Sequence, residues 1–116
     1  MSVDNVKEPW TLEPNRVALA LLGKLCEESN ELGAIAARCI IQGVDASEPV
    51  TGVPNREALM KELADVRAMS GVLLEYLALD VPAFIFRVEK KNAYWRDWHA
   101  AMVRLFGPHD GEKSDG

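Results

Sequence analysis

Five carboxylates fall into two short clusters. Glu27, Glu28 and Glu31 stand in CEESNE at 26–31, and Glu62 and Asp65 stand in ELAD at 62–65. On a helix, residues three or four apart share a face, so Glu28 with Glu31, Glu27 with Glu31, and Glu62 with Asp65 are same-face pairs. The surroundings of both clusters are apolar. The series Leu21, Leu25, Glu28, Leu32, Ile35 puts an acid in a core-facing slot. Ala58, Glu62, Asp65, Met69, Val72 and Tyr76 define a second face with two acids in its middle. Ionised carboxylates turned toward apolar surroundings repel one another and lose hydration. A bound cation relieves both costs. All-oxygen donors without His or Cys favour a hard ion, Mg²⁺ or Mn²⁺. Mg²⁺ is commonly held by a few carboxylates, waters and the oxygens of a substrate's phosphates, so the expected ligand is a phosphate ester or anhydride. The plainer alternative is a solvated acidic face, with Lys24 paired to Glu28 or Lys61 to Asp65. Two interruptions of two separate apolar stripes favour the cation.

Helices are the elements that would position these acids. The spacing predicts a first helix over 14–42, capped by Thr11 with Pro14 in its first turn, and stopped at Gly43. Its apolar stripe is Val17, Leu21, Leu25, Leu32, Ile35 and Cys39. The turn-rich GVDASEPVTGVP at 43–54 breaks the helix, and Asn55 can cap a second one over 56–79. The apolar positions there are Leu59, Leu63, Val66, Met69, Leu73 and Leu77. Asp80 before Val81-Pro82 is a further N-cap signature, opening a third helix that ends at Gly107-Pro108 and either runs unbroken or is interrupted near Asn92. No segment alternates with period two, so the fold class is all-α. Antiparallel neighbours joined by a short connection bring the two acid pairs near one level. The midpoint of Glu28 and Glu31 lies about 19 Å from the end of the first helix, and that of Glu62 and Asp65 about 13 Å from the start of the second. The connection can absorb the mismatch.

The chain has 116 residues, 48% hydrophobic and 27% charged, which fits one domain over 14–107 between a lead-in (1–13) and a flexible tail (108–116). A net charge of −5 argues against nucleic-acid binding through a general basic surface. No N-terminal signal pattern and no bilayer-length apolar run is present, so a cytoplasmic protein without a membrane partner is expected. Cys26 and Cys39 would lie about 20 Å apart on one helix, too far for a disulfide, and read as buried free thiols. Gly23, Gly33 and Gly71 within helices are explained by close helix–helix approach or by a ligand against the backbone.

Glu27-Glu28-Ser29-Asn30-Glu31 followed by Glu62-Leu63-Ala64-Asp65 resembles the E-E-x-x-E … E-x-x-D signature of the MazG-like all-α nucleoside triphosphate pyrophosphohydrolases. That group includes dimeric dUTPases, dCTP pyrophosphatases and phosphoribosyl-ATP pyrophosphohydrolase. The similarity covers roughly 17–96, with a longer connection between the half-motifs than many members have. The resemblance implies a MazG-like helical bundle with a four-helix-type core, Mg²⁺, and hydrolysis of a (d)NTP to (d)NMP and pyrophosphate. It also implies Glu28, Glu31, Glu62 and Asp65 as principal metal ligands. Glu27 would be a further ligand or the base that activates water, its alternative being a solvated helix residue. The segment Lys90-Lys91-Asn92-Ala93-Tyr94-Trp95 resembles the basic residue and asparagine beyond the acidic helices of the family. It offers Lys91 and Asn92, with Arg87 and Lys90, as phosphate-binding groups, against a solvated basic face. A homodimer or homotetramer is expected, since three helices cannot easily enclose this many apolar positions. From another class, a non-catalytic helical interaction or regulatory module would carry the same acids as a structural or vestigial site.

Other features carry less. Trp10, Trp95 and Trp98 can stack on a base, but packing is the commoner use of aromatics in a helical core. His99 and His109 lack ligand spacing to the acids. Gly23-Lys24 is no P-loop, DASEPVTGVPNR is no EF-hand loop, and the Glu-x-x-His pairs of di-iron bundles are missing.

Overall fold

A computed structural model describes residues 10–107. Most of the lead-in, and the tail 108–116 with His109, lie outside the described residues. Three helices follow in order: α1 (Arg16–Gln42), α2 (Asn55–Tyr76) and α3 (Val81–Phe106). Among the described residues the only β feature is an isolated antiparallel bridge, Ser47 with Pro54. The chain is all-α.

α1 is capped by Asn15, not by Thr11. Its Oδ1 accepts hydrogen bonds from the amides of Val17 (2.9 Å) and Ala18 (3.1 Å). Asn is among the best N-caps. Pro14 sits ahead of the cap and biases Glu13 away from helical angles, which moves the start to Arg16. Gly43 closes the helix at φ 100°, a conformation that favours glycine, and its amide donates to the Cys39 carbonyl.

Asn55 is likewise not the cap of α2. Pro54 holds that position without a side-chain bond, and Asn55 is the first helical residue, fully buried. Its Nδ2 donates to the Gly43 carbonyl (3.0 Å) and to Gln42 Oε1 (3.2 Å), while its backbone amide donates to the Ala46 carbonyl. A bond across to the end of α1 has replaced the local cap. At the other end, the Tyr76 hydroxyl donates to Asn15 Oδ1 at 3.1 Å. These two latches fix α1 and α2 as an antiparallel pair.

α2 stops three residues before the expected 79. Ala78 turns left-handed at φ 51°, and the Leu79 amide donates back to the Leu74 carbonyl, closing the helix end. α3 starts where expected, with the Asp80 carboxylate accepting from the Ala83 amide, and it runs unbroken through Asn92. Compact units divide at Leu79–Asp80, so the α1–α2 pair belongs to one unit and α3 to another.

The buried apolar side chains of the described residues are Ala18, Ile35 and Leu73, all in the α1–α2 pair. The inward stripe of α1 begins at Ala18 rather than at Val17, which is half exposed, and proceeds through Leu21, Leu25, Glu28, Leu32, Ile35 and Cys39. That of α2 is Asn55, Leu59, Glu62, Val66, Met69 and Leu73, with Leu63 and Leu77 turned out. Cys26 is exposed instead of buried, Cys39 is half-buried, and both are free thiols. A Cβ at Gly23, Gly33 or Gly71 would meet nothing within 4 Å, so close helix approach does not account for them. No helix among the described residues is long and apolar enough to cross a membrane.

Candidate metal centre

The stripes explain how the acids meet. Steps of three and four carry Glu28 and Glu62 into the α1–α2 interface, each in a slot that an apolar residue would ordinarily fill. In α2 the choice is stark, because Glu62 points inward while its neighbour Leu63 is 52% exposed. Glu28, Glu62 and Asp65 each offer an oxygen, and the three oxygens lie within 4.8 Å of one another. Glu28 and Glu62 are half-buried and Asp65 is exposed. One oxygen of Glu28 and one of Glu62 are shut off from solvent without a hydrogen-bond partner. A buried acceptor left in that state is costly.

Electrostatics match the geometry. Partial burial, then the charges of Glu31, Asp65 and Glu62, push the Glu28 carboxyl above its ordinary 4.5. Glu62 is raised for the same reasons, burial first and then Glu31 and Asp65. Glu31 is exposed and lies outside the three-oxygen group, yet its charge acts on both partners. The local lysines do not neutralise the cluster by pairing with it. Lys24 Nζ pairs with Glu27 at 3.0 Å and Lys61 Nζ with Glu57 at 3.3 Å, instead of with Glu28 and Asp65. Among the described residues, Glu28, Glu62 and Asp65 form no ion pair. Glu27 is thus drawn into a pair along the exposed side of α1.

A donor set of carboxylate oxygens, two of them unpartnered, fits Mg²⁺ or Mn²⁺ and offers nothing to a soft metal. Beside it lies an open cavity of about 360 Å³ lined by Lys24, Glu28, Asp65, Ala68, Met69 and Val72. Its size falls in the range of small-molecule sites. Lys24, which the spacing offered only as an ion-pair partner for Glu28, lines this cavity; its place one turn before Glu28, on the same face, was the available signal.

The expected phosphate-binding set lies on α3, in the second unit, whereas the acid cluster is built wholly from the first. There Lys91 Nζ sits 5.0 Å from the centre of the Tyr94 ring, a cation–π contact. Asn92 lines a cleft with Glu89, Ala93, Arg96 and Asp97. Arg87 and Lys90 are exposed. Tyr94, Trp95 and Trp98 form an edge-to-face ladder with centroid spacings of 4.9 and 5.9 Å, and Trp10 is fully exposed. His99 is exposed on the same helix.

Comparison of the chain with family models, curated proteins and solved structures finds no match.

Proposed function

We propose that the chain is a Mg²⁺-dependent nucleoside triphosphate pyrophosphohydrolase of the MazG-like kind, hydrolysing (d)NTP to (d)NMP and pyrophosphate, in keeping with nucleotide-pool control. The observation that carries this reading is the convergence of Glu28, Glu62 and Asp65, which bring one oxygen apiece within 4.8 Å of one another, while Glu28 and Glu62 each keep an oxygen shut off from solvent and unpartnered. Carboxylates so placed call for a cation, and a cation held only by acids on one side keeps positions open for phosphate oxygens.

Glu28, Glu62 and Asp65 would hold the ion, with Glu31 completing the set from its place beside Glu28 and Glu62. What a divalent ion supplies when bound is charge neutralisation at the phosphates and a lowered pKa for an attacking water. The rigid α1–α2 pair contributes positioning: latches at Asn55 and at Tyr76–Asn15 hold both helices so that the acids stay converged. Water adds at the α-phosphorus, the bond to the bridging oxygen of the β-phosphate breaks, and pyrophosphate leaves. Arg87, Lys90, Lys91 and Asn92 remain the proposed phosphate contacts of the resemblance. Association into a homodimer or homotetramer, completing a four-helix-type core, is part of the same proposal. Its support is the short list of buried apolar side chains, against Ile40, Ile41 and Phe106 at 80% exposure or more.

The same exposed apolar residues favour the second reading, a non-catalytic interaction module with a vestigial acidic site. Pyrophosphate release from a panel of canonical and modified (d)NTPs, with Mg²⁺ and with EDTA, separates the two. The expected result is Mg²⁺-dependent release of pyrophosphate and not of orthophosphate; no turnover of any triphosphate would sink the enzyme reading.

A further inference from the structure

Lys24 occupies an unusual position for a lysine among acids. It lines the cavity with Glu28 and Asp65, yet its ammonium pairs with Glu27, an exposed acid of CEESNE outside the three-oxygen group. We propose that Lys24 is a cationic contact, supplied by α1 itself, for the phosphate chain of a ligand seated over the acid cluster, and that Glu27 is the tether that positions it. The inference rests on the cation-dependent triphosphate reading and assigns a group within that same site.

Three observations lead there. An ion pair with both side chains more than half exposed adds little to helix stability, so folding does not explain the arrangement. The ammonium has three donors, and its hydrogen bond among the described residues is the one to Glu27 at 3.0 Å, which leaves donors to spare. Charge supplies the third. Three carboxylates outweigh one divalent ion, so an incoming polyphosphate meets a site that is still negative unless another cation faces it. Lys24 is the one cationic side chain lining that cavity. Its compact charge on a flexible stem can reach phosphate oxygens without leaving the helix face. Glu27, outside the three-oxygen group and paired with Lys24 at 3.0 Å, is then a positioning residue and not a ligand.

The test measures two equilibria on the full chain: Mn²⁺ alone, and inorganic tripolyphosphate in the presence of Mg²⁺. Lys24→Gln should weaken tripolyphosphate about tenfold, the loss of one charge-assisted hydrogen bond. It should leave Mn²⁺ affinity equal or higher, because a competing positive charge has gone. Lys24→Arg should recover most of the tripolyphosphate affinity, and Glu27→Gln should leave Mn²⁺ affinity unchanged. Wild-type protein that binds Mn²⁺ while Lys24→Gln holds tripolyphosphate undiminished, or that binds no tripolyphosphate, overturns this proposal alone. A fall in Mn²⁺ affinity in Glu27→Gln makes Glu27 a ligand and overturns the tether. No Mn²⁺ uptake by wild type overturns the metal centre, and the role of Lys24 with it.

Discussion

Glu48 and the pair Glu28/Glu62 are carboxylates of one unit that the fold treats in opposite ways. In the connection between α1 and α2, the Glu48 carboxylate accepts hydrogen bonds from the amides of Val50 and Thr51. Those bonds, first the Thr51 amide and hydroxyl and then the Val50 amide, hold its carboxyl below the ordinary 4.5. Glu28 and Glu62 have no such donors, face other acids, and are raised. Where the backbone supplies donors, the charge organises a turn. Where donors are withheld from two converging acids, the charge stays uncompensated by the protein, and the proposed function assigns it to a cation.

The largest contrast should be catalytic. Glu28→Gln, Glu31→Gln, Glu62→Gln and Asp65→Asn should each reduce Mg²⁺-dependent triphosphate turnover by on the order of 10²-fold or more, the scale of losing one main electrostatic contact. Helix content by circular dichroism should survive. Glu48→Gln should leave turnover near wild type and lower the melting temperature. Metal-free Glu28→Gln and Glu62→Gln should melt no lower than wild type, because repulsion has been relieved. Rates unaffected by the site substitutions would dissolve the comparison.

Next in size is the effect of the ion itself. At a Mg²⁺ concentration of about 100 times its Kd, binding should stabilise the chain by about 2.7 kcal/mol. Thermal unfolding should show this shift in wild type and in Glu48→Gln, and lose it in Glu62→Gln. Asn55→Ala tests the latch that aligns the helices. It removes the Asn55 donor from Gln42 and from the Gly43 carbonyl, which keeps the Ala46 amide, and should cost about 1–3 kcal/mol in denaturant unfolding, with a weakened response to Mg²⁺.

The smallest effect is a pH dependence with two windows. Raised carboxyls bind more protons in the folded than in the unfolded state, so Glu28 and Glu62 favour folding below 4.5 and lose that contribution as pH climbs through their raised values. Glu48 works in the other direction. Its contribution is complete above 4.5 and is lost as pH falls through its lowered value. Metal-free stability measured against pH should therefore decline above 4.5 through the first pair, and Glu62→Gln should flatten that limb. Glu48→Gln should flatten the acid limb only.

Much of this was legible in the residues. The three-and-four spacing that put Glu28 in a core-facing slot is the spacing of the α1 stripe, and axial distances brought Glu28 level with Glu62 and Asp65. What the spacing could not reveal was competition between alternatives of similar local merit. Thr11 and Asn15 both cap well, and Pro14 decides between them. Asn55 had the chemistry of a cap but spends its amide on α1, a contact between residues twelve and thirteen apart in sequence. Leu63 fits an apolar stripe as well as Glu62 does, and only the partner helix selects the acid. Glu31, as strong a candidate as Glu28 by pattern, stands at the margin of the three-oxygen group, and Lys24 chose Glu27 over Glu28.

Mn²⁺ titration of the wild type beside Glu62→Gln and Glu48→Gln tests the central claim most directly. Saturable binding in wild type, retained in Glu48→Gln and lost in Glu62→Gln, is the predicted result. Equal Mn²⁺ binding in all three proteins, or none in wild type, would contradict a cation site between α1 and α2.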